Sequence, residues 1–248
     1  MAESLGLDTF LGNAYVDAAV FRLRPDYRAV LLAADCLEPG SGDDASEALL
    51  QQAELAARRA LSTDSADRLP HIAAWREAYR AFGAKPQRTR NSVEALIRRA
   101  ETGLPRVNRL TDIYNGVSVL HQLPVGGEDL SQYRGAPRLV RATGDEIFAT
   151  MSDGGAVTEH PDSGEVVWRD DVGVTCRRWN WRQAHRTQLS AQTTSALFIL
   201  EALAPMTDEH LRAAVRDLTT HLRRLGPDVR VAHRWLFNEI NTQGDRTC

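Results

Sequence analysis

The sequence predicts an α/β fold of the α+β kind, a single compact domain over residues 1–237 with a mixed β-sheet flanked by helices. Three observations carry this expectation. Helical patterns occupy most of residues 46–123 and return after 207, and from about 137 the period changes to short strand-like runs. No glycine-rich strand-turn-helix fingerprint of a dinucleotide fold is present.

Taken in order, "YRAVLLAADCL" (27–37) is short, apolar and bounded by polar residues, which predicts a buried strand. The loop "EPGSGDDAS" (38–46) follows, and then "SEALLQQAELAARRALS", whose Ala, Leu, Gln and Glu content predicts a helix. "HIAAWREAYRAFGA" predicts a second helix, ended by Gly83 with Pro86 beyond. In "RNSVEALIRRAETG", Asn91 or Ser92 caps a third helix with Glu94 in its first turn, and Val93, Leu96 and Ile97 make its apolar stripe. "NRLTDIYNGVSVLHQL" places Leu110, Ile113, Tyr114, Val117 and Leu120 on one helical face, while Asp112 and Asn115, three apart, share another. This helix runs into "LPVGGEDL" (123–130), where Pro124 and a turn at Gly126–Gly127 are expected to stop it.

Beyond 137, "PRLVRA", "EIFATM" and "GEVVWRD" predict strands, and "GVTCRRWNWR" a further one after a turn at "DDVG". "SALFILEAL" fits a buried strand or a helix. The last clear element is "TDEHLRAAVRDLTTHLRRLG", capped by Thr207, closed by Gly226 and Pro227, with Leu211, Val215, Leu218 and Leu222 inward. Residues after about 237 are expected to be a loose tail.

Composition narrows the function classes. Of 248 residues, 43% are hydrophobic and 25% charged, and the net charge of −3 provides no global attraction to nucleic acid or an anionic membrane. No run of eighteen apolar residues exists, and the amino terminus lacks a basic, apolar secretory pattern. Cys36, Cys176 and Cys248 are too scattered for a disulfide framework or a zinc cluster, which points to a reduced, cytoplasmic protein. The histidines do not cluster, with His210 and His221 expected at the surface of the last helix. G-x-S-x-G, H-E-x-x-H and P-loop patterns do not occur, so neither a metal nor another cofactor is expected.

Three stretches could carry chemistry. If 174–182 is one strand, Val174, Cys176, Arg178 and Asn180 share an inward face, and Arg178 and Asn180 wall a polar pocket. Arg177, Trp179, Trp181 and Arg182 then suit base stacking and phosphate contact. The competing reading is an edge strand with its tryptophans under loops and its arginines paired with Asp170 and Asp171. In LPVGGEDL, Gly126 and Gly127 either form a simple turn or let a ligand approach main-chain N–H groups, with Glu128 or Asp129 binding an ammonium or orienting water. Finally, Lys85, Arg88 and Arg90 lie ahead of a helix start, and "IRRAETGLPRVNR" adds Arg98, Arg99, Arg106 and Arg109; together they could follow a phosphate backbone.

Together, "RNSVEAL", "LPRVNRLTDIYNGVSV", "LPVGGEDL" and "GVTCRRWNWR" resemble free-standing relatives of the B3/B4 domain, the editing domain of the phenylalanyl-tRNA synthetase beta subunit, most strongly over 85–205. The resemblance implies a trans-acting hydrolase that deacylates mischarged aminoacyl-tRNA, with tRNA as partner, a synthetase as a possible docking partner, and neither DNA nor membrane. Asn115 aligns with the asparagine of the family's Asn-Tyr pair, Pro124 with its loop proline and Asp129 with its loop aspartate. The family's loop histidine is Gly126 here, so Glu128 substitutes for it, the pocket takes another amino acid, or activity is gone. Under the first of these, Glu128 and Asp129 act with Asn115 and Asp112 behind them. The alternatives are a non-catalytic RNA-binding module and a small-molecule enzyme acting on a free amino acid or its ester.

Overall fold

The computed structural model describes residues 6–152 and 155–238. In chain order its elements are α1 (Leu7–Gly12), β1 (Tyr15–Val16), α2 (Ala18–Leu23), β2 (Arg28–Asp35), α3 (Asp44–Thr63), α4 (Pro70–Ala81), α5 (Ser92–Arg99), α6 (Arg109–Leu120), β3 (Val125–Asp129), β4 (Arg138–Arg141), β5 (Phe148–Ser152), β6 (Gly155–Glu159), β7 (Val166–Arg169), β8 (Val174–Arg177), β9 (Arg182–Gln183), β10 (Ala196–Ala202), α7 (Asp208–Leu222) and β11 (Arg230–Phe237). Helices and largely antiparallel sheets occupy separate layers, an α+β fold.

The strands divide into a four-stranded antiparallel sheet ordered β11-β2-β10-β3, a five-stranded sheet ordered β1-β4-β7-β8-β9, and the ribbon β5-β6. The mixed sheet expected is the five-stranded one, in which β1 runs parallel to β4 and the other pairs are antiparallel. Only the β1–β4 pair is parallel among the described strands.

The apolar run of β2 is buried on both faces, and its two-residue period sorts its side chains between two cores. Ala29, Leu31 and Ala33 pack with α1, α4 and the five-stranded sheet, whereas Val30, Leu32 and Ala34 pack with α6 and α7. The "SALFILEAL" segment is the strand β10, because it completes this layer: Leu197 and Ile199 face the first core, Phe198 and Leu200 the second.

The helix starts follow their capping residues. The Asn91 side chain accepts from Glu94 N–H at 2.8 Å, so Asn91 rather than Ser92 caps α5. Asn108 caps α6 and Thr207 caps α7, where His210 is exposed and His221 half-buried beside Asp217.

Three segments differ from expectation. Residues 125–129 are a strand rather than a double-glycine turn, since Leu123 N–H already closes the α6 turn on Ser118 C=O and Gln122 takes φ 52°. β8 ends at Arg177, so 174–182 is two short strands joined by a turn. β11, beyond the last predicted helix, pairs along the whole of β2. The expected loose tail after Phe237 lies, apart from Asn238, outside the described residues.

Candidate functional site

β3 pairs with β10 so that Glu128 lies opposite Leu197, Gly127 opposite Phe198 and Gly126 opposite Ile199. Residues opposite one another share a face. Glu128 and Gly126 therefore look toward the five-stranded sheet together with Leu197, Ile199 and Glu201, while Gly127 looks toward α6. The two glycines thus do different jobs. A Cβ on Gly127 would stand 2.7 Å from the Tyr114 ring carbons, so the helix can lie this close only on a glycine. A Cβ on Gly126 would meet the Gln183 amide nitrogen at 3.2 Å, and its absence leaves the sheet floor open.

Main-chain groups alternate as well. Pro124 C=O and Leu130 N–H bond toward β10, whereas Asp129 N–H bonds Thr187 C=O and Gly127 C=O accepts from the Gln183 amide at 2.8 Å. Of the two main-chain donors expected from the glycines, Gly126 N–H is therefore directed at β10, and only Gly127 N–H at the outer edge.

The opposite wall comes from the β8–β9 turn. Arg178 and Trp179 both take left-handed backbone, φ 46° and 69°, an arrangement costing about 1–2 kcal/mol per residue that the surrounding packing must offset. Trp179 is fully buried, with ring centroids 5.1 Å from Tyr27 and 5.3 Å from Trp75. The turn brings Asn180 back over β10, where its amide donates to Glu201 at 2.9 Å and its carbonyl accepts from Tyr79 at 2.9 Å.

Between these walls lies a cavity of about 590 Å³, bordered by Asn115, Gly126, Glu128, Cys176, Asn180, Gln183, Ile199 and Glu201 within, and by Arg88, Arg90, Arg98, Arg99 and Arg182 outside. Two buried carboxylates mark its floor, on adjacent strands and offset by four positions, about 13 Å along the strand direction at 3.3 Å per residue. Glu201 accepts from Tyr27 at 2.7 Å, Trp168 at 3.1 Å and Asn180 at 2.9 Å. Glu128 accepts from the Tyr133 hydroxyl on Oε2, and its buried Oε1 has no partner among the described residues. Burial pushes both carboxyls up to about 7 against their hydrogen-bond donors.

The rim is cationic. Glu94, fully buried, holds Arg76 at 2.8 Å, Arg98 at 3.0 Å and Arg90 at 3.8 Å. Arg88 and Arg99 are exposed and have no carboxylate within ion-pair distance among the described residues. Trp181 lies 4.6 and 4.7 Å from the Arg178 and Arg182 guanidinium carbons, and Arg182 is anchored on Glu159 at 2.5 Å.

Of the residues singled out from the sequence, Glu128, Gly126, Asn115, Asn180, Arg88, Arg90, Arg98, Arg99, Trp179, Trp181 and Arg182 border this one cavity. The glycine strand and the tryptophan-arginine segment do converge. Others are placed elsewhere. Asp129 points away from Glu128 and is held by Ser131 and Thr193. Asp112 accepts from Val107 N–H at 2.8 Å and borders a separate depression beside Asp43 and Glu47, apart from Asn115. Arg177 is buried in a forked pair with Glu165 at 2.8 and 3.0 Å and cannot reach a phosphate, and Trp179 presents no free ring face. Arg178 bonds Thr89 at 2.7 Å and does not border the cavity, because the turn breaks the alternation that placed it inward. Lys85 is exposed away from the rim. The arginines find Glu159 and Glu165 rather than Asp170 and Asp171, which bind Arg186 and Arg138. Sequence reasoning missed Glu201, Gln183, Trp168 and Tyr133. A lone glutamate inside the apolar run "ALFILEA" is the one signal that could have found Glu201.

Among the described residues no cluster of His, Cys, Asp and Glu could hold a metal, and no helix is long and apolar enough to cross a membrane. No curated protein matches the chain. Among solved structures it is similar to an N-terminal fragment of the phenylalanyl-tRNA synthetase beta-subunit from Pyrococcus horikoshii, at 13% identity and a TM-score of 0.42, covering 90% of this chain and 50% of that one. The chain thus spans about half the length of that fragment. The family model of the B3/4 domain matches residues 74–225, which include α5, α6, β3, the β8–β9 turn and β10. That match covers more than half of the chain, and the chain belongs to the B3/4 domain family.

Proposed function

We propose that the protein is a cytoplasmic trans-editing hydrolase that deacylates mischarged aminoacyl-tRNA. The charge polarity of its cavity carries this reading: an acidic floor, where Glu128 keeps an unpartnered carboxylate oxygen, beneath a rim of five arginines. The 3′ end of an aminoacyl-tRNA has the complementary polarity, an ammonium group at its tip and phosphates behind it. Glu128 receives the ammonium or orients the attacking water, Asn115 and Asn180 line the wall, and Gly127, which does not border the cavity itself, directs its N–H to the outer edge of β3. Arg88 and Arg99, free of carboxylate partners among the described residues, take phosphates at lower cost than Arg90 and Arg98, which are tied to Glu94.

The chemistry required is modest. The ester is already activated, and about 4 kcal/mol of barrier reduction gives roughly a thousandfold acceleration. Placing a water and stabilising an oxyanion suffices, assisted by the neighbouring ribose hydroxyl, so no covalent nucleophile is needed. The test is a deacylation assay over a panel of mischarged tRNAs with wild type and Glu128→Gln. Turnover on some member of the panel, lost in the variant, is expected; turnover unaffected by the variant removes Glu128 from the mechanism.

One observation favours a second reading, a non-catalytic tRNA-binding module: position 126 is glycine and, among the described residues, no histidine borders the cavity. Steeply salt-dependent binding with no turnover on any aminoacyl-tRNA would select it.

A further inference from the structure

We propose that Tyr133 is a positioning residue for this site, which occupies one oxygen of Glu128 and thereby presents the other, ionised, to the ligand. The inference deepens the deacylase reading and rests on it for its effect on turnover, but not for its effect on Glu128.

The geometry is specific. Tyr133 follows the short turn after β3 and is buried, its ring edge-on to Phe10 at 5.6 Å and its hydroxyl donating to Glu128 Oε2. Thr175 Oγ1 lies 3.4 Å behind that hydroxyl. Oε1 has no partner among the described residues, and besides Tyr133 only the Thr175 hydroxyl lowers the carboxyl through a side-chain hydrogen bond. Burial makes the neutral carboxyl the favoured form, and the Tyr133 hydrogen bond is the largest influence in the opposite direction. Every other facing group is weaker or unhelpful. Asp170, from the β7–β8 turn, pushes the carboxyl up, and Arg186, beyond β9, pulls it down while itself paired to Asp170 at 2.8 Å. Cys176 on β8 and Tyr114 on α6 are held protonated by burial. Without the phenol, Thr175 would be the remaining side-chain donor and the buried carboxyl would hold its proton to higher pH, weakening its attraction for an ammonium at neutral pH.

Tyr133→Phe keeps the ring against Phe10 and removes only the hydroxyl. The Glu128 carboxyl is followed by carbon-13 NMR of glutamate-labelled protein, assigned with Glu128→Gln. An upward shift of its titration midpoint by about one pH unit or more is expected. In the same variant the acid limb of the kcat/KM profile for aminoacyl-tRNA should move up by a similar amount, with turnover recovering at higher pH. Adding Tyr133→Phe to Glu128→Gln should cause no further loss. A merely structural tyrosine would lower stability and kcat without moving either midpoint. An unmoved Glu128 titration in folded Tyr133→Phe overturns the inference, whatever the substrate proves to be. A moved titration with an unmoved rate profile, or no deacylation at all in wild type, supports the role of Tyr133 and discards the deacylase reading instead. Should the phenylalanine variant not fold, 3-fluorotyrosine at position 133, a stronger donor in the same packing, must lower the midpoint, and a failure to do so overturns the inference equally.

Discussion

Glu201 and Glu128 stand at the two ends of one cavity floor, both buried and both pushed up to about 7, yet their surroundings differ. Glu201 is filled by two aromatic donors and an amide. Glu128 has hydroxyl donors in Tyr133 and Thr175 but keeps a bare Oε1. A satisfied buried carboxylate rigidifies the core around it, whereas an unsatisfied one is retained at a cost that binding can relieve. The difference separates the part of the floor that holds the walls together from the part that meets a ligand.

The largest expected effect tests the first half of that contrast. Glu201→Ala leaves the Tyr27 hydroxyl, the Trp168 indole and the Asn180 amide without their common acceptor, and should cost about 3–5 kcal/mol in urea unfolding. A loss below about 1 kcal/mol would erase the distinction. Next, Glu128→Gln should reduce deacylation about a hundredfold, roughly 2.7 kcal/mol, without destabilising the fold at pH 7. The same variant sharpens the comparison through pH. A carboxyl raised from 4.5 to about 7 stabilises the fold below pH 4.5, and that contribution is lost as pH rises toward 7. The gain of Glu128→Gln over wild type should therefore grow between pH 4.5 and 7 and level off above, opposite in sign to buried His71. Its imidazole, lowered to about 4 by burial, makes the fold less stable as pH falls from 6.5 toward 4. Urea midpoints across that range decide it.

The smallest effect concerns the rim. Arg88→Ala and Arg99→Ala should each lower the slope of log affinity against log salt for tRNA by about 0.7, and Lys85→Ala should not change it. Equal slopes for all three would remove the rim from the interface, and unchanged turnover on tRNA in the double arginine variant would favour a small-molecule substrate.

Much of this architecture was legible beforehand. Asn91 and Thr207 cap helices by local hydrogen bonds, and β2 is readable because six consecutive apolar residues, 29–34, are buried on both faces. Legibility failed where a residue's role depends on what lies across from it. Gly126–Gly127 looked like a turn because two glycines permit one, but their flatness against Tyr114 and the cavity is what the fold uses. The alternation assumed for 174–182 failed at Arg178 and Trp179, whose left-handed backbone is held by packing against Tyr27 and Trp75, more than a hundred residues earlier.

What the sequence by itself determined is local: the capped helices, the doubly buried strand β2, the absence of metal and nucleophile motifs, and the set of short blocks that mark a B3/4 domain. Hydrogen bonds within four residues and a two- or 3.6-residue period are written in neighbouring letters. Only the tertiary structure decided which charges are available. Four of the expected site residues, Asp112, Asp129, Arg177 and Arg178, are spent on framework contacts, while Glu201 was brought into the floor from a distant part of the chain and Tyr133 was turned back onto Glu128 from behind it. Whether a carboxylate is satisfied is a property of its three-dimensional neighbours, because the cost of burial and the donors that offset it both come from segments that meet only on folding.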